Sequence, residues 1–508
     1  MSGAALSIAG PRRTLITASL MMASIMQVLD NTIANVALPH IQGSVSATQD
    51  QMAWVLTSYI IAAAIMTPLA GWFAGQFGRK RVVLISIAGF TLASMVCGLA
   101  QSLSQMVLAR LLQGACGAAL VPMSQAVMLD INPPENHAKA MSLWVTGVTL
   151  GPIIGPALGG WLTEDYNWRW VFYINVPFGI LAFLGVLSTM PESTIKRSPF
   201  DFFGFATLSL AVGALQITLD RGQLKDWFNS PEICIEAAVS ATALYLFVVH
   251  MVTSRKARFL DPGLFKDGNF MAGCAFMSTV GLVLFATLAL LPPLLQDLLN
   301  YPVVTTGLAT APRGLGTLLA MLIVARLAKL VDARLIIGFG FAMTAFSAWQ
   351  MTQFDLQMDM ATVIWSGLAQ GMGTGLVYVP LASVAFATLQ PALRNEGAAL
   401  FSLSRNLGSS IGISIVETLL TRNTQIAHAS LAEHVSPFSS VVRAQMPAGV
   451  PGVRELAVLN TQVTQQAAMI AYLDNFKMML WLCLAAIPLV LFMRKADSRS
   501  NPEPIAVE

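Results

Sequence analysis

Charge is what this sequence has least of. Only 11% of its 508 residues are Asp, Glu, Lys or Arg, against 55% hydrophobic ones, for a mean hydropathy of +0.66. A soluble domain carries about 25% charged residues, so the composition excludes a water-soluble protein and points to an all-α polytopic membrane protein. Its five cysteines (97, 116, 234, 274 and 483) form no C-x-x-C pair and lie in or beside apolar runs, which excludes a disulfide or zinc framework. The histidines at 40, 137, 250, 428 and 434 share no ligand spacing, so no metal site is expected. The GxxxxGK-Ser/Thr loop of nucleotide hydrolysis is missing. Gly371-Met-Gly373-Thr-Gly375 lies inside an apolar run and lacks the strand-then-helix setting of a dinucleotide site. At membrane level there is no paired-carboxylate, metal or nucleophile–base set. The chain is therefore expected to be no enzyme, to need no cofactor and to bind no nucleic acid.

What is present is length in apolar helices. A membrane helix needs about 20 mostly apolar residues. Fourteen stretches qualify: 15–38, 51–74, 82–100, 105–129, 139–161, 169–189, 202–219, 233–252, 270–293, 304–328, 335–353, 360–386, 398–420 and 475–493. With the N-terminus inside, inner segments hold 19 Lys and Arg and outer segments hold 7, and Arg110, Arg313 and Arg405 fall inside helices. By the positive-inside rule both termini are expected in the cytoplasm.

The two ends of the chain repeat one another. Helix four carries Gln113-Gly114 and helix twelve carries Gln370-Gly371, and each leads through glycines to a proline, Pro122 or Pro380. A helix with a small-residue ridge follows in each copy: Gly147, Gly151, Gly155 and Gly159 in the first, with Pro152, Pro156 and Gly160 alongside, and Gly408 and Gly412 in the second. Glycines four apart share a helix face and let another backbone come close. Parallel repeats mark transporters whose two bundles rock about a midplane site; chance similarity of glycine-rich helices is the alternative. The expected organisation is a six-helix bundle in 1–190, an inserted two-helix segment in 191–266, and a second six-helix bundle in 267–508. The ridge is expected where the bundles meet. The long outer segment 421–473, with Pro437, Pro447 and Pro451, is either a functional loop or a solvated spacer.

Ionisable groups at membrane depth are costly and are functional candidates by default. Asp30 lies about 12 Å from the outer end of helix one and Arg110 about 8 Å from that of helix four, at 1.5 Å per residue. The depths match, so the two are expected to pair, as a proton switch or as a static ion pair. Gln27, Asn31, Asn35 and Gln113 are further candidates for substrate or coupling contacts, as are Arg313 and Arg405 deeper in the second half. Glu417 is expected at the outer surface. Together these five charges sum to +1, which favours neutral or weakly acidic lipophiles.

Several stretches resemble the major facilitator superfamily, in particular its 14-helix drug:proton antiporters of the EmrB/QacA type. They are Leu29-Asp30-Asn31-Thr32-Ile33-Ala34-Asn35-Val36-Ala37-Leu38-Pro39, Arg110-Leu-Leu-Gln113-Gly114, Gly147 to Gly160, Trp168-Arg169-Trp170 through Asn175-Val-Pro177, and Leu219-Asp220-Arg221-Gly222. The resemblance implies a major facilitator fold of 14 helices (6+2+6) and proton coupling through Asp30 and Arg110. It also implies a cytoplasmic gating loop at Gly71, Gly78, Arg79 and Lys80. The family's pattern there is G-x-L-A-D-R-x-G-R-(R/K); this chain has Gly75 in place of the Asp, which puts the usual charge lock in doubt. Gln27-Val-Leu-Asp30 and the late Thr461-Gln-Val-Thr-Gln465 run place the chain nearest the EmrB branch. That branch implies export of lipophilic compounds across an inner membrane, driven by the proton gradient, with a periplasmic adaptor and an outer-membrane channel. A same-fold proton symporter importing a nutrient or metabolite is the alternative.

Overall fold

The computed structural model describes residues 10–45, 47, 49–133, 137–193, 195, 199–254, 259–327, 330–390, 393–434, 453–491 and 493. Regular structure among them is helical throughout. The first part of the chain forms α1 (Gly10–Val45), α2 (Gln49–Met66), α3 (Leu69–Phe77), α4 (Arg79–Leu99), α5 (Leu103–Gly117), α6 (Leu120–Ile131), α7 (His137–Asp165), α8 (Trp170–Tyr173) and α9 (Asn175–Thr189). Two long helices follow, α10 (Phe202–Arg221) and α11 (Pro231–Thr253), then the short α12 (Gly263–Lys266). The last part holds α13 (Gly268–Pro293), α14 (Val303–Thr310), α15 (Pro312–Leu327), α16 (Ala333–Met351), α17 (Met360–Ala387), α18 (Arg394–His434) and α19 (Val453–Val490).

Each of the fourteen apolar stretches falls on one of these helices or on a broken pair. The breaks have local causes. Pro68 separates α2 from α3, which meet at 54°. Pro312 opens α15 one residue after α14 ends, and a proline at a helix start gives up a donor that would be unpaired anyway. Gly78 joins α3 to α4 at φ +86°, a left-handed backbone that suits glycine. Nine described helices are long and apolar enough to cross a membrane, or ten with the bent α2–α3 pair counted as one.

Two sets of helices carry the core. In the first, α1 packs on α7 and α9, and α4 on α5 and α9. In the second, α13 packs on α18, and α17 on α15 and α16. α10 lies against α2 of the first set and touches α18 of the second; α11 packs on α10. Polar bonds fix this placement: Ser414 donates to the Leu219 carbonyl at 2.8 Å, and Thr57 donates to Asp220. The outer faces of these helices are exposed and apolar, with Tyr245, Val252 and Leu210 among them, as a lipid-facing surface requires.

The outer segment 421–473, whose later part from Val453 to Tyr472 is helix-compatible by sequence, is helical at both of its described ends. Its start continues α18 to His434, and its later part is the beginning of α19. At 1.5 Å per residue the 41 residues of α18 span about 60 Å and the 38 of α19 about 57 Å, roughly twice a hydrocarbon core. The extensions pair with each other, His428 bonding Asn460 at 3.1 Å. Pro437, Pro447 and Pro451 lie outside the described residues, as do the chain ends on which the expected orientation of the termini rests.

Candidate transport site

The densest polar cluster in the first helix set lies among α1, α4, α5 and α9. Arg110 and Asp30 are both 0% exposed, and an Arg110 Nη donates to Asp30 Oδ2 at 2.6 Å. The other carboxylate oxygen, Oδ1, accepts from Gln113 Nε2 at 2.9 Å and from Asn175 Nδ2 at 2.7 Å. Asn175 Nδ2 also donates to Ser94 Oγ at 2.9 Å, and Ser94 donates to the Phe172 carbonyl at 2.8 Å. Arg110 also donates to the Val55 carbonyl at 3.1 Å and to Gln113 Oε1 at 2.8 Å, while its second Nη has no hydrogen-bond partner among the described residues. Its guanidinium lies 4.6 Å from the centre of the Tyr59 ring and 5.7 Å from that of Phe172.

Local sequence explains the convergence. Arg110 and Gln113 are three apart on α5 and so share a face. Ser94 and Cys97 repeat that spacing on α4, and the Cys97 thiol donates to Gln113 Oε1 at 3.5 Å. Asp30 sits mid-helix on α1, where the backbone is already bonded and only side chains can meet its charge. An ion pair removed from water is favourable only when its remaining lone pairs are satisfied. Here two donors do that, Gln113 from the helix of Arg110 and Asn175 from α9.

Sequence reading had paired Asp30 with Arg110 by depth and had named Gln113. It missed Asn175, Ser94 and Tyr59 as partners. The Asn175-Val-Pro177 stretch was visible as a motif, but nothing in it tells that Asn175 faces α1. Of the other candidates, Asn31 bonds back to the Gln27 carbonyl at 3.3 Å and does not join the cluster. The side chain of Asn35 lies outside the described residues, as do those of Pro152 and Pro156. Among the described residues the Arg405 side chain hydrogen-bonds Asn406 alone, at 3.4 Å. Arg313 is 7% exposed, and its three guanidinium nitrogens have no hydrogen-bond partner among the described residues. Glu417 is exposed, as expected.

The glycine ridge has a different partner from the expected one. It faces α1 within the same helix set, not the other set. A Cβ on Gly147 would meet Met21; on Gly151, the backbone nitrogen of Leu29 at 3.1 Å; on Gly155, Thr32; on Gly159, the Ile33 carbonyl at 3.2 Å. The ridge therefore flanks Asp30 from Leu29 to Ile33. The second copy repeats the arrangement: Gly408 and Gly412 abut the Ser278 and Leu282 carbonyls of α13. The seam between the sets uses other small residues. A Cβ on Gly307 of α14 would sit 3.4 Å from the Cβ of Ala157 on α7. At the far end, Ala398 and Ala399 of α18 line a small gap with Ala70, Gly71, Pro122 and Ala126.

The loop between α3 and α4 has lost the expected carboxylate at Gly75, and Arg79 takes another. It pairs with Asp130 at the end of α6, while its backbone N–H donates to Ser193 Oγ at 2.7 Å. Gly71 lines the gap just described, and Lys80 is half-buried at the start of α4. Sequence reading missed Asp130, which no local motif marks.

Comparison with known proteins agrees with this architecture. The family description "Major Facilitator Superfamily" matches residues 20–413. The multidrug export protein EmrB of Escherichia coli (strain K12) is 35% identical over 492 residues, covering 96% of each chain. The fatty acid resistance protein FarB of Neisseria gonorrhoeae is 34% identical over 481 residues, covering 94% of this chain and 95% of that one. Among solved structures, a bacterial homologue of the human lysosomal transporter Spinster, inward-facing and unoccupied, matches with a TM-score of 0.58 at 16% identity. It covers 96% of this chain and 99% of its own, a likeness of fold alone.

Proposed function

The chain belongs to the major facilitator superfamily, a family of multi-pass membrane transporters and not of enzymes, and from that premise we propose that it is a proton-driven antiporter exporting lipophilic compounds, neutral or weakly acidic, across a bacterial inner membrane. Fourteen spans in a 6+2+6 order, with both termini cytoplasmic, are part of this reading. So is rocking of 1–190 against 267–508, with 191–266 inserted between them. One observation carries the proposal: a carboxylate and a guanidinium, both fully buried at matching depth, bonded at 2.6 Å and held by Gln113 and Asn175.

The chemistry follows from that geometry. The proposed cycle has two states, one with Asp30 bonded to Arg110 and one with Arg110 drawn away and the transported proton carried on Asp30. Arg110 has alternatives at hand in the Val55 carbonyl, Gln113 Oε1 and the Tyr59 ring. A swing of α5 relative to α1 thus exchanges an ion pair for a protonated acid. Alternation between outer and inner access converts that exchange into transport. The relatives named for multidrug export and fatty acid resistance support export as the direction.

In proteoliposomes with an imposed pH gradient, Asp30→Asn is expected to abolish gradient-driven transport while the protein still inserts and folds. Full gradient-driven transport by that variant would sink the reading. Accumulation of substrate as protons run inward would assign a symporter instead.

The paired extensions of α18 and α19 are the proposed docking arms for a periplasmic adaptor that leads to an outer-membrane channel. Replacing 424–470 with a short linker should spare transport in proteoliposomes and remove resistance in whole cells. Unchanged whole-cell resistance would make the arms a solvated spacer.

A further inference from the structure

The two halves repeat at one buried glutamine and the glycine after it, and the polar residues around that pair differ. In the first half Gln113 donates to Asp30, and in the second Gln370 donates to Thr287 at 2.8 Å; each pair is 83 residues apart. The glycine after each glutamine abuts one backbone carbonyl: Gly114 meets that of Tyr59 on α2, and Gly371 meets that of Arg313 on α15. Thr287 thus stands where Asp30 stands, and Arg313 where Tyr59 stands. The residue three before each glutamine is Arg110 in the first half and Gly367 in the second. A Cβ on Gly367 would lie 3.8 Å from the Cβ of Arg313, so a larger side chain there would crowd Arg313. The second half thus has a buried guanidinium on the neighbouring helix and a hydroxyl where the first half has a carboxylate.

The consequence, among the described residues, is a cation without its anion. All three nitrogens of Arg313 lack a partner among the described residues, and so do Gln370 Oε1 and Thr306 Oγ1. Thr306 is seven residues before Arg313, on the same side of the α14–α15 rod. Arg313 is ten residues from the start of α14, about 15 Å along the axis and half of a hydrocarbon core about 30 Å thick. A guanidinium buried there without a counter-charge is strongly unfavourable. Its planar fork matches a carboxylate in two parallel bonds.

We propose that Arg313 is the receptor for the acidic group of the transported compound, a lipophilic monoanion of the carboxylate type that supplies the charge Asp30 supplies in the other half. This rests on the transporter reading of the fold, but not on proton coupling through Asp30. It separates two tasks that the repeat once duplicated: the first half holds the proton site and the second selects the cargo.

The test is equilibrium binding to the purified full-length protein in zwitterionic nanodiscs, with no gradient, so failure of proton coupling would leave the result intact. The probes are decanoate, uncharged decanol and decyltrimethylammonium, read by direct binding and by the rise in Tm. Decanoate is expected to bind the wild type more tightly than decanol, and decyltrimethylammonium least. Arg313→Met should weaken decanoate by about tenfold or more, the worth of charge-assisted hydrogen bonds, and leave decanol unchanged. Without ligand it should melt at or above the wild type, because an unpaired buried charge has gone. Arg313→Lys keeps the charge without the fork and should retain part of the preference; it carries the comparison should the methionine variant not fold. A lower Tm for Arg313→Met with unchanged decanoate affinity would overturn the proposal in favour of a structural arginine. Equal loss of decanol binding would overturn it as well. So would Arg313-dependent protection by phosphatidylglycerol and not by decanoate, which would assign the charge to a lipid phosphate.

Discussion

Asp30 Oδ1 has two donors, and only one of them was placed by local sequence. Gln113 is on the same helix as Arg110, so its arrival follows from the three-residue spacing. Asn175 comes from α9, 145 residues away, and only the packing of α9 on α1 and α4 brings it in. It does two things at once, bonding Asp30 and Ser94 with the same nitrogen. Asn175→Ala removes a bond to a charged, fully buried acceptor, which costs about 1.5–3 kcal/mol. We expect a lower Tm in detergent and weakened, not abolished, gradient-driven transport, because Arg110 and Gln113 remain. A variant as stable and as active as the wild type would show that Gln113 and Arg110 suffice to hold the carboxylate. The ion pair itself was legible, since intramembrane charges are few and their depths can be counted along each helix. Its third and fourth partners were not, because a neutral Asn or Ser in an apolar helix carries no signal of which neighbour it faces. Asp130 is a similar case: Arg79 needed a carboxylate once Gly75 replaced the usual one, but the replacement lies 51 residues on and belongs to no motif.

Helix periodicity told which face of α7 is smooth and could not tell what lies on it. A glycine ridge accepts any backbone, and both α1 and the second helix set were within reach by length alone. The structure gives it α1, and this changes what the ridge does. Gly151 and Gly155 set the distance between α7 and the turn of α1 that carries Asp30, so the ridge tunes the site. A Cβ at Gly151 would lie 3.1 Å from the Leu29 nitrogen and 3.4 Å from a methyl of Val28. That is tight by a few tenths of an ångström. Gly151→Ala should therefore retain part of the transport rate, while Gly151→Leu must push α7 off α1 and should abolish gradient-driven transport. A rate that falls stepwise from Gly to Ala to Leu, measured at matched expression, is the expected pattern; equal rates across the series would remove the ridge from the mechanism. The ends of α18 and α19 show the opposite limit of sequence reading. Polar helix beyond a span lacks the apolar period that marks one, so 421–434 was not read as the continuation of α18, whereas Val453 to Tyr472 was legible as helix-compatible and is the start of α19.

For the molecule as a whole, the two helix sets meet through small residues at both ends of the seam, and alternation requires each contact to part in turn. The contact of α7 with α14 is the one that geometry makes testable. The Cβ positions at Ala157 and Gly307 are 3.4 Å apart, against 3.5–4.5 Å in ordinary disulfides, so a cysteine pair there needs only a slight adjustment. Neither position is titratable or part of the Asp30 cluster. Among the native cysteines Cys234 is exposed, Cys116 half-buried and Cys97, Cys274 and Cys483 buried, so Cys116→Ser with Cys234→Ser gives the background. The double variant Ala157→Cys, Gly307→Cys should transport while reduced, stop when oxidised, and recover on adding a thiol reductant. Each single variant should be indifferent to oxidant. If the oxidised double variant, cross-linked to completion, still transports at the reduced rate, this seam does not open in the cycle, and alternation must pivot about it while the opposite contact, around Gly71 and Ala398, does the opening.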